Sequence, residues 1–167
     1  MSLDLGKKFL SQKNFKDAEK IFLDLNKNNY NFEINYNLAI INFELKNIKK
    51  SLKFFDKCKK IDSRSLNTYL KIAYLEQSTG DIEKSLSTYL KVLEINIRDI
   101  RAYYGIFTLK PNFLKASHFE IIKQINDNPN ANILEKFLSK FLLSKKEKKE
   151  RNIEKELAFL NNSHNLC

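Results

Sequence analysis

Histidine and cysteine are the side chains of this sequence best suited to metal binding or nucleophilic catalysis. His118 and His164 stand far apart, and neither has a carboxylate or a cysteine at a ligand spacing such as HExxH. Cys58 and Cys167 form no CxxC pair, and Cys58 lies on an apolar helical face that favours a buried thiol. We therefore expect no metal site and no redox motif.

Motifs for phosphate binding and for hydrolysis are also missing from the sequence. Neither G-x-x-x-x-G-K-[ST] nor G-x-G-x-x-G occurs, and no serine stands in a G-x-S-x-G elbow. We therefore expect a protein that is not an enzyme and that binds no cofactor.

Positive charge is the feature of the composition that bears most on possible partners. The formal net charge of +10 suits an acidic protein, a nucleic acid or an anionic membrane surface. AT-rich codons are the alternative cause, because Lys, Asn and Ile are enriched together. Phosphate and base recognition favour arginine, which occurs only as Arg64, Arg98, Arg101 and Arg151. Nucleic-acid binding is therefore the less favoured interpretation.

The basic run KKEKKER at residues 145–151 has two interpretations. It could be a patch for RNA, lipid headgroups or an acidic protein, or the solvated end of a helix that Glu147 and Glu150 partly neutralise. Aromatic residues, which single-strand binders use for stacking, are missing from the run. This favours the solvated helix end.

A pattern of turn, small and aromatic residues recurs about every 34 residues. The turn residues are Asn14, Asn47 and Asp81. The small residues that follow them are Ala18, Ser51 and Ser85, and the aromatic residues are Phe22, Phe55 and Tyr89. The pairs that precede each turn are Leu5-Gly6, Leu38-Ala39 and Ile72-Ala73. Small residues allow two helices to approach closely, and aromatic residues supply buried area, so the pattern predicts stacked helical hairpins.

This pattern resembles the tetratricopeptide repeat family, in which each unit is a pair of antiparallel helices. The resemblance implies an all-α fold, a right-handed α-solenoid of stacked hairpins, with Asn or Asp at each turn able to cap the second helix. Residues 1–99 give three regular hairpins, and residues 100–167 give two degenerate hairpins that continue the solenoid. Ten helices are expected, the eighth of them near 112–126 because Lys110-Pro111-Asn112 interrupts the fourth unit. In the last helix, Ile153, Leu157 and Leu160 form an inward stripe, while Phe159 and Leu166 lie off it.

The resemblance also implies a ligand-binding concave face, which is lined by the first helix of each unit. The positions that match this face are Lys7, Tyr36, Asn37, Ile40, Leu70, Lys71, Tyr74, Arg101 and Tyr104. An alternative role for its tyrosine and aliphatic members is packing between units. We expect a protein-interaction scaffold that binds an extended peptide or protein partner, acidic or ended by a carboxylate. Asn37 would bond the peptide backbone and the cations would meet carboxylates.

Other roles stay open at this stage. The segment LLSKKEKKERNIEKELAFLNNSHNLC is similar to the last repeat of bacterial proteins in which such repeats precede a sulfotransferase domain. The chain could therefore be the repeat region of a larger enzyme, and an RNA-binding helical repeat is a weaker alternative. We also expect a downstream domain or self-association at the C-terminal end. No apolar run is long enough to span a membrane, so we expect a cytoplasmic protein.

Overall fold

The computed structural model describes residues 2–28 and 31–164. Within them the chain forms ten α-helices, one short 3-10 helix and no strand. The α-helices are α1 (Leu3–Ser11), α2 (Phe15–Asn28), α3 (Phe32–Glu44), α4 (Ile48–Ile61), α5 (Leu66–Ser78), α6 (Ile82–Ile95), α7 (Ile100–Leu109), α8 (Ala116–Asp127), α9 (Ile133–Lys149) and α10 (Ile153–His164). The 3-10 helix spans Pro111–Phe113 and lies between α7 and α8. The prediction of an all-α fold is therefore confirmed.

The helices fall into two compact units. The first unit is Met1–Asp81, with α1 to α5, and the second is Ile82–Cys167, with α6 to α10. The predicted division at residues 99 and 100 rests on the regularity of the repeats and stays a prediction.

Four of the connections between paired helices share one backbone geometry. The second residue after each first helix has a positive φ, at Lys13 (57°), Lys46 (62°), Gly80 (83°) and Arg151 (59°). The next amide donates a hydrogen bond to the carbonyl five residues earlier, over 2.9 Å at Asn14, 2.8 Å at Asn47, 2.9 Å at Asp81 and 2.9 Å at Asn152. This is the Schellman arrangement, which satisfies carbonyls left open at a helix end. The predicted turns at Asn14, Asn47 and Asp81 are confirmed.

The side-chain cap expected of Asn47 does not form. Asn47 has φ −86° and ψ 63°, outside the extended region from which a capping side chain reaches the amides of the first turn. The backbone turn at Lys46 therefore closes this hairpin without a side-chain cap.

The small and aromatic positions of the repeat are buried as predicted. Ala18, Ser51 and Ser85 are fully buried, and Phe22, Phe55 and Tyr89 are at most 5% exposed. Ser51 Oγ donates a hydrogen bond of 2.7 Å to the carbonyl oxygen of Ala39, which joins α4 to α3. The repeat pattern thus marks the contacts between paired helices.

The fourth hairpin departs from the others, and one predicted boundary in it is wrong. The second helix, α8, begins at Ala116 rather than near residue 112. Proline at position 111 begins a 3-10 turn instead, and Lys110 keeps a negative φ of −143°. Since the left-handed residue is missing here, the chain needs a longer connection, Lys110 to Lys115, before α8 begins.

The inward face of α10 is not the predicted one. Ile153 and Leu157 are 68% and 51% exposed, whereas Asn152, Glu156 and Phe159 are half-buried. The turn at Arg151 sets the rotation of α10, so that the 152/156/159 face packs towards α9. The Leu160 side chain and Leu166 lie outside the described residues.

Candidate functional site

In the first unit, α3 and α5 carry six of the seven predicted ligand-binding residues next to a shared core, and the seventh, Lys7, lies on α1. Phe55, Ile72 and Leu75 are buried there, with Tyr36 and Ile40 packed partly against them. Burial of one side of α3 and α5 fixes the rotation of both helices and so determines which side chains stay accessible.

Tyr74 is the most exposed aromatic residue of the predicted set within the described residues. It is 53% exposed, and its ring meets the ring of Phe43 edge to face, with centroids 5.8 Å apart. Phe43 lies on α3, three residues after Ile40, and is half-buried. Because the contact joins α3 to α5, the two rings form an aromatic surface that a ligand can reach.

Asn37 and Lys71 add polar groups on the same two helices. Asn37 is half-buried and precedes Ile40 by one helical turn, while Lys71 is exposed and precedes Tyr74 by one turn. Among the described residues, none forms an ion pair with Lys71. An ammonium group therefore lies one turn from Tyr74 on α5, and an amide lies six residues before Phe43 on α3.

Tyr36, Ile40 and Leu70 are more deeply placed than a ligand-facing role requires. The Tyr36 ring stacks on Phe32 and meets Phe55 edge to face, with centroids 5.7 Å apart in both pairs. Ile40 and Leu70 are half-buried. These three side chains therefore lie beneath the surface that Phe43 and Tyr74 form. This agrees with the alternative in which they pack against neighbouring helices.

Lys7 is joined to a carboxylate rather than free to meet a ligand. Its ammonium group forms an ion pair with Glu33, which links α1 to α3. The hydrogen bond with Glu33 raises the pKa of Lys7. A ligand carboxylate would have to compete with Glu33, so Lys7 is a weak candidate.

The second unit holds Arg101 and Tyr104, the other two predicted residues. Asp99 accepts hydrogen bonds from Arg101 Nε at 2.9 Å and Nη2 at 2.6 Å, and its side chain is 3% exposed. This bidentate pair commits the guanidinium group to the start of α7. Tyr104 is 37% exposed and meets Phe141 of α9 edge to face at 5.7 Å.

The second unit also contains a pocket that the sequence did not predict, here called the α7–α9 pocket. Its volume is about 550 Å³. It is lined by Phe107, Pro111, Asn112, Leu114, Ala116, Phe119, Lys145, Lys146, Lys148 and Glu150. The sequence signals for this pocket were the interruption at Pro111 and the basic run at residues 145–151. These segments are far apart in the sequence, so neither signal predicted a shared pocket.

Two of the reactive side chains considered in the sequence analysis, Cys58 and His118, are held by packing and hydrogen bonding in the fold. Cys58 is fully buried, and burial raises the pKa of its thiol to about 12. His118 Nδ1 accepts a hydrogen bond of 3.0 Å from the Lys115 amide, and its ring stacks on Phe113. Burial, followed by the charge of Lys115, lowers the pKa of His118. Cys167 lies outside the described residues.

The described residues contain neither a metal-binding cluster nor a membrane-spanning helix. No group of three or more His, Cys, Asp or Glu side chains within residues 2–28 and 31–164 could hold a metal ion. Among the same residues, each helix is too short or too polar to cross a bilayer.

Sequence and structure comparisons identify relatives of this fold. A model of the tetratricopeptide repeat matches residues 32–65 and 66–96, which hold α3 to α6. No curated protein sequence matches the chain significantly.

Solved structures match the chain over most of its length. The crystal structure of MamA has a TM-score of 0.69 at 11% identity and covers 99% of this chain and 96% of its own. PilF of Pseudomonas aeruginosa has a TM-score of 0.73 at 13% identity and covers 98% and 74%. YrrB, described as a TPR protein with an unusual peptide-binding site, has a TM-score of 0.59 at 16% identity and covers 78% and 68%. At these identities the matches show the fold alone, and they confirm a tetratricopeptide-like fold class.

Proposed function

We propose that this chain is a tetratricopeptide repeat protein that acts as a protein-interaction scaffold and binds an extended peptide segment of a partner on its concave face. The match of residues 32–65 and 66–96 to the repeat model supports this proposal. Arrays of such repeats present extended binding surfaces. The peptide-binding site in the description of YrrB supports a peptide ligand for this chain too. We also propose that the protein acts without catalysis and in the cytoplasm.

The observation that carries this proposal is the contact of the exposed Tyr74 ring with the half-buried Phe43 ring. A tyrosine that is 53% exposed yet held edge-on by a neighbouring ring is preorganised, so it loses little conformational freedom when a ligand covers it. Tyrosine is also enriched among residues that dominate binding energy. The pair therefore supplies an anchor point for an apolar side chain of the peptide.

Charge favours a peptide with a carboxylate near that anchor. Lys7 and Arg101 are paired with Glu33 and Asp99, respectively. Lys71 is exposed one turn from Tyr74 and is therefore the cation best placed to meet a ligand carboxylate. Asn37 can bond the peptide backbone, since its amide both donates and accepts.

The test is selection of ligands from an array of extended peptides, followed by titration of the selected peptide with the full chain. We expect Tyr74→Ala and Lys71→Glu each to weaken binding, by about tenfold for the tyrosine, which corresponds to about 1.4 kcal/mol. Lys71→Glu should change the free energy of unfolding by less than about 0.5 kcal/mol, because the residue is exposed.

Lys49→Glu provides the matched control. Lys49 is exposed on α4, and its reversal changes the net charge by the same amount as Lys71→Glu. Equal loss of affinity in the two charge variants would show that only the overall charge matters. A steep loss of affinity with added salt, together with binding of single-stranded RNA, would favour the RNA alternative instead.

A downstream domain or self-association at the C-terminal end also stays a proposal. Its support is the exposure of Ile153 and Leu157 on α10. Measurement of the mass of the chain in solution at several concentrations tests the self-association part.

A further inference from the structure

The α7–α9 pocket arises where the repeat loses its regular turn. The connection from Lys110 to Lys115 lacks a left-handed residue and includes the 3-10 turn, so α8 begins later than in a regular hairpin. The first helix of the next hairpin, α9, has 17 residues, whereas α3 and α5 have 13 each. The last turn of α9 thus borders the irregular connection, and a pocket of about 550 Å³ lies between them.

The floor of the pocket is apolar and firmly held. Leu114 and Phe119 are 7% and 9% exposed, and Phe107 is half-buried against Phe141, with ring centroids 6.1 Å apart. The volume is within the range of about 300–1,000 Å³ typical of ligand sites. The floor therefore suits a large apolar side chain.

The rim of the pocket is cationic. Lys145, Lys146 and Lys148 line it together with one acid, Glu150. The ammonium of Lys145 lies 5.1 Å from the centre of the Phe141 ring, and that of Lys146 lies 5.9 Å from the centre of Phe119. Glu150 is 3.9 Å from Lys146, which is a long ion pair on an exposed surface. The rim therefore has an excess of positive charge.

We propose that the α7–α9 pocket is a second docking site, which takes an acidic peptide segment of a partner protein and buries an apolar side chain of that segment. The apolar floor receives the side chain, and the lysines of α9 meet Asp or Glu residues on either side of it. The pocket is partly open to solvent, so a peptide can reach it. Three separate ammonium groups along a helix suit several carboxylates along a chain better than one headgroup. In this proposal the basic run at residues 145–151 has a binding role. The sequence alone had favoured the interpretation of a solvated helix end.

The test uses the full chain and three fluorescein-labelled synthetic peptides. The first has a Leu-Phe pair between runs of Asp and Glu, the second replaces the pair by Ser, and the third replaces the acids by Asn and Gln. Fluorescence anisotropy gives the affinities, and amide chemical shifts of Phe107 and Ala116 locate the binding. Dodecanoate is titrated separately as a lipid-like anion.

Two variants address the floor and the rim independently. Ala116 is exposed on the pocket wall, so Ala116→Trp fills the space without entering the core, and the double variant Lys145→Glu with Lys148→Glu reverses the rim. We expect each to weaken binding of the first peptide by about tenfold or more. The double variant Lys49→Glu with Lys123→Glu, at exposed positions of α4 and α8, changes the net charge by the same amount and is the matched control, which should leave the affinity within about twofold.

The expected result is tight binding of the first peptide only, with shifts at Phe107 and Ala116. Equal binding of the second or third peptide would overturn the proposal, and so would unchanged affinity in the double lysine variant. Dodecanoate that shifts Ala116 where the first peptide does not would identify a lipid site instead. Lys71→Glu should leave this binding unchanged, so the result stands apart from the test of the α3–α5 face.

Discussion

Replacing Gly105 by alanine tests how closely α7 approaches α6. Gly105 is buried within α7, and an added Cβ would lie 2.2 Å from Tyr89 Cζ and 2.5 Å from Tyr89 Cε1. Carbon atoms in contact normally stay about 3.5–4.0 Å apart. The Tyr89 ring is only 5% exposed, so it cannot swing into solvent without leaving the core. The added methyl group must therefore push α6 and α7 apart or displace the ring.

Two effects of opposite sign determine how much Gly105→Ala changes the free energy of unfolding. Alanine is favoured over glycine in a helix interior by about 1 kcal/mol. Overpacking a buried contact costs about 1–3 kcal/mol, and an overlap of more than 1 Å belongs at the upper end. We therefore expect the free energy of unfolding to fall by about 2 kcal/mol in Gly105→Ala.

Urea denaturation followed by circular dichroism at the helix band measures this change. Gly6→Ala is the matched control, because an added Cβ there would lie 3.0 Å from the Phe22 ring, a much milder overlap. We expect its two effects nearly to cancel, so that the free energy of unfolding changes by less than about 1 kcal/mol.

A double-mutant cycle with Tyr89→Leu separates the clash from other effects. The smaller side chain makes room for the methyl group, so the double variant should be more stable than the sum of the single changes predicts, by about 1–2 kcal/mol. The reasoning fails if Gly105→Ala is as stable as the wild type or more so, since helix propensity alone would then account for the result.

Three further predictions concern single residues. Lys46→Gly should raise the free energy of unfolding by about 0.5–1 kcal/mol in urea titrations, because Lys46 has φ 62° and glycine adopts this region without strain. Asn42→Leu should raise it by about 1 kcal/mol, because Asn42 is fully buried and its Oδ1 has no partner within the described residues; loss of stability would mean that the amide is needed. Because the pKa of His118 is lowered in the folded chain, the unfolded chain takes up the proton first, near about pH 6.5. The wild type should therefore lose more stability than His118→Gln between about pH 7 and pH 5, and equal losses would contradict this.

The helices and turns of the regular repeats could be predicted because one local rule decides each of them. A turn residue, a small residue and an aromatic residue recur in register, and Asn14, Asn47 and Asp81 all lie at turns. The repeat pattern ends at Pro111, where the sequence predicts an interruption. Whether the chain then resumes the helix at once or forms a 3-10 turn first depends on packing against α9, which the pattern does not contain.

The sequence predicts positions for the candidate site, but it does not predict the contacts that those side chains make. Helical spacing places Lys71 and Tyr74 on one face, but it cannot show that Lys7 pairs with Glu33 of another helix. The pairing depends on how closely α1 and α3 approach. The α7–α9 pocket was missed for a similar reason, since its apolar floor and its lysines belong to segments that are separate in sequence.

The prediction of which face of α10 points inward was wrong for a different reason. The stripe that begins at Ile153 matches an amphipathic helix, but the turn at Arg151 directs Phe159 towards α9 instead. Where apolar residues lie on both sides of a helix, hydrophobic spacing leaves two rotations open, and the backbone of the preceding turn decides between them.

The Schellman turns provide one reporter of local opening for each of the four hairpins that contain one. The amides of Asn14, Asn47, Asp81 and Asn152 are each bonded to a carbonyl five residues earlier. Such a proton exchanges with solvent deuterium only when the end of its first helix unwinds. Comparing the exchange rates of these amides ranks the hairpins by the free energy needed to open each one. Repeat units contact mainly their neighbours, so a bound partner should slow exchange most at the turns next to its site.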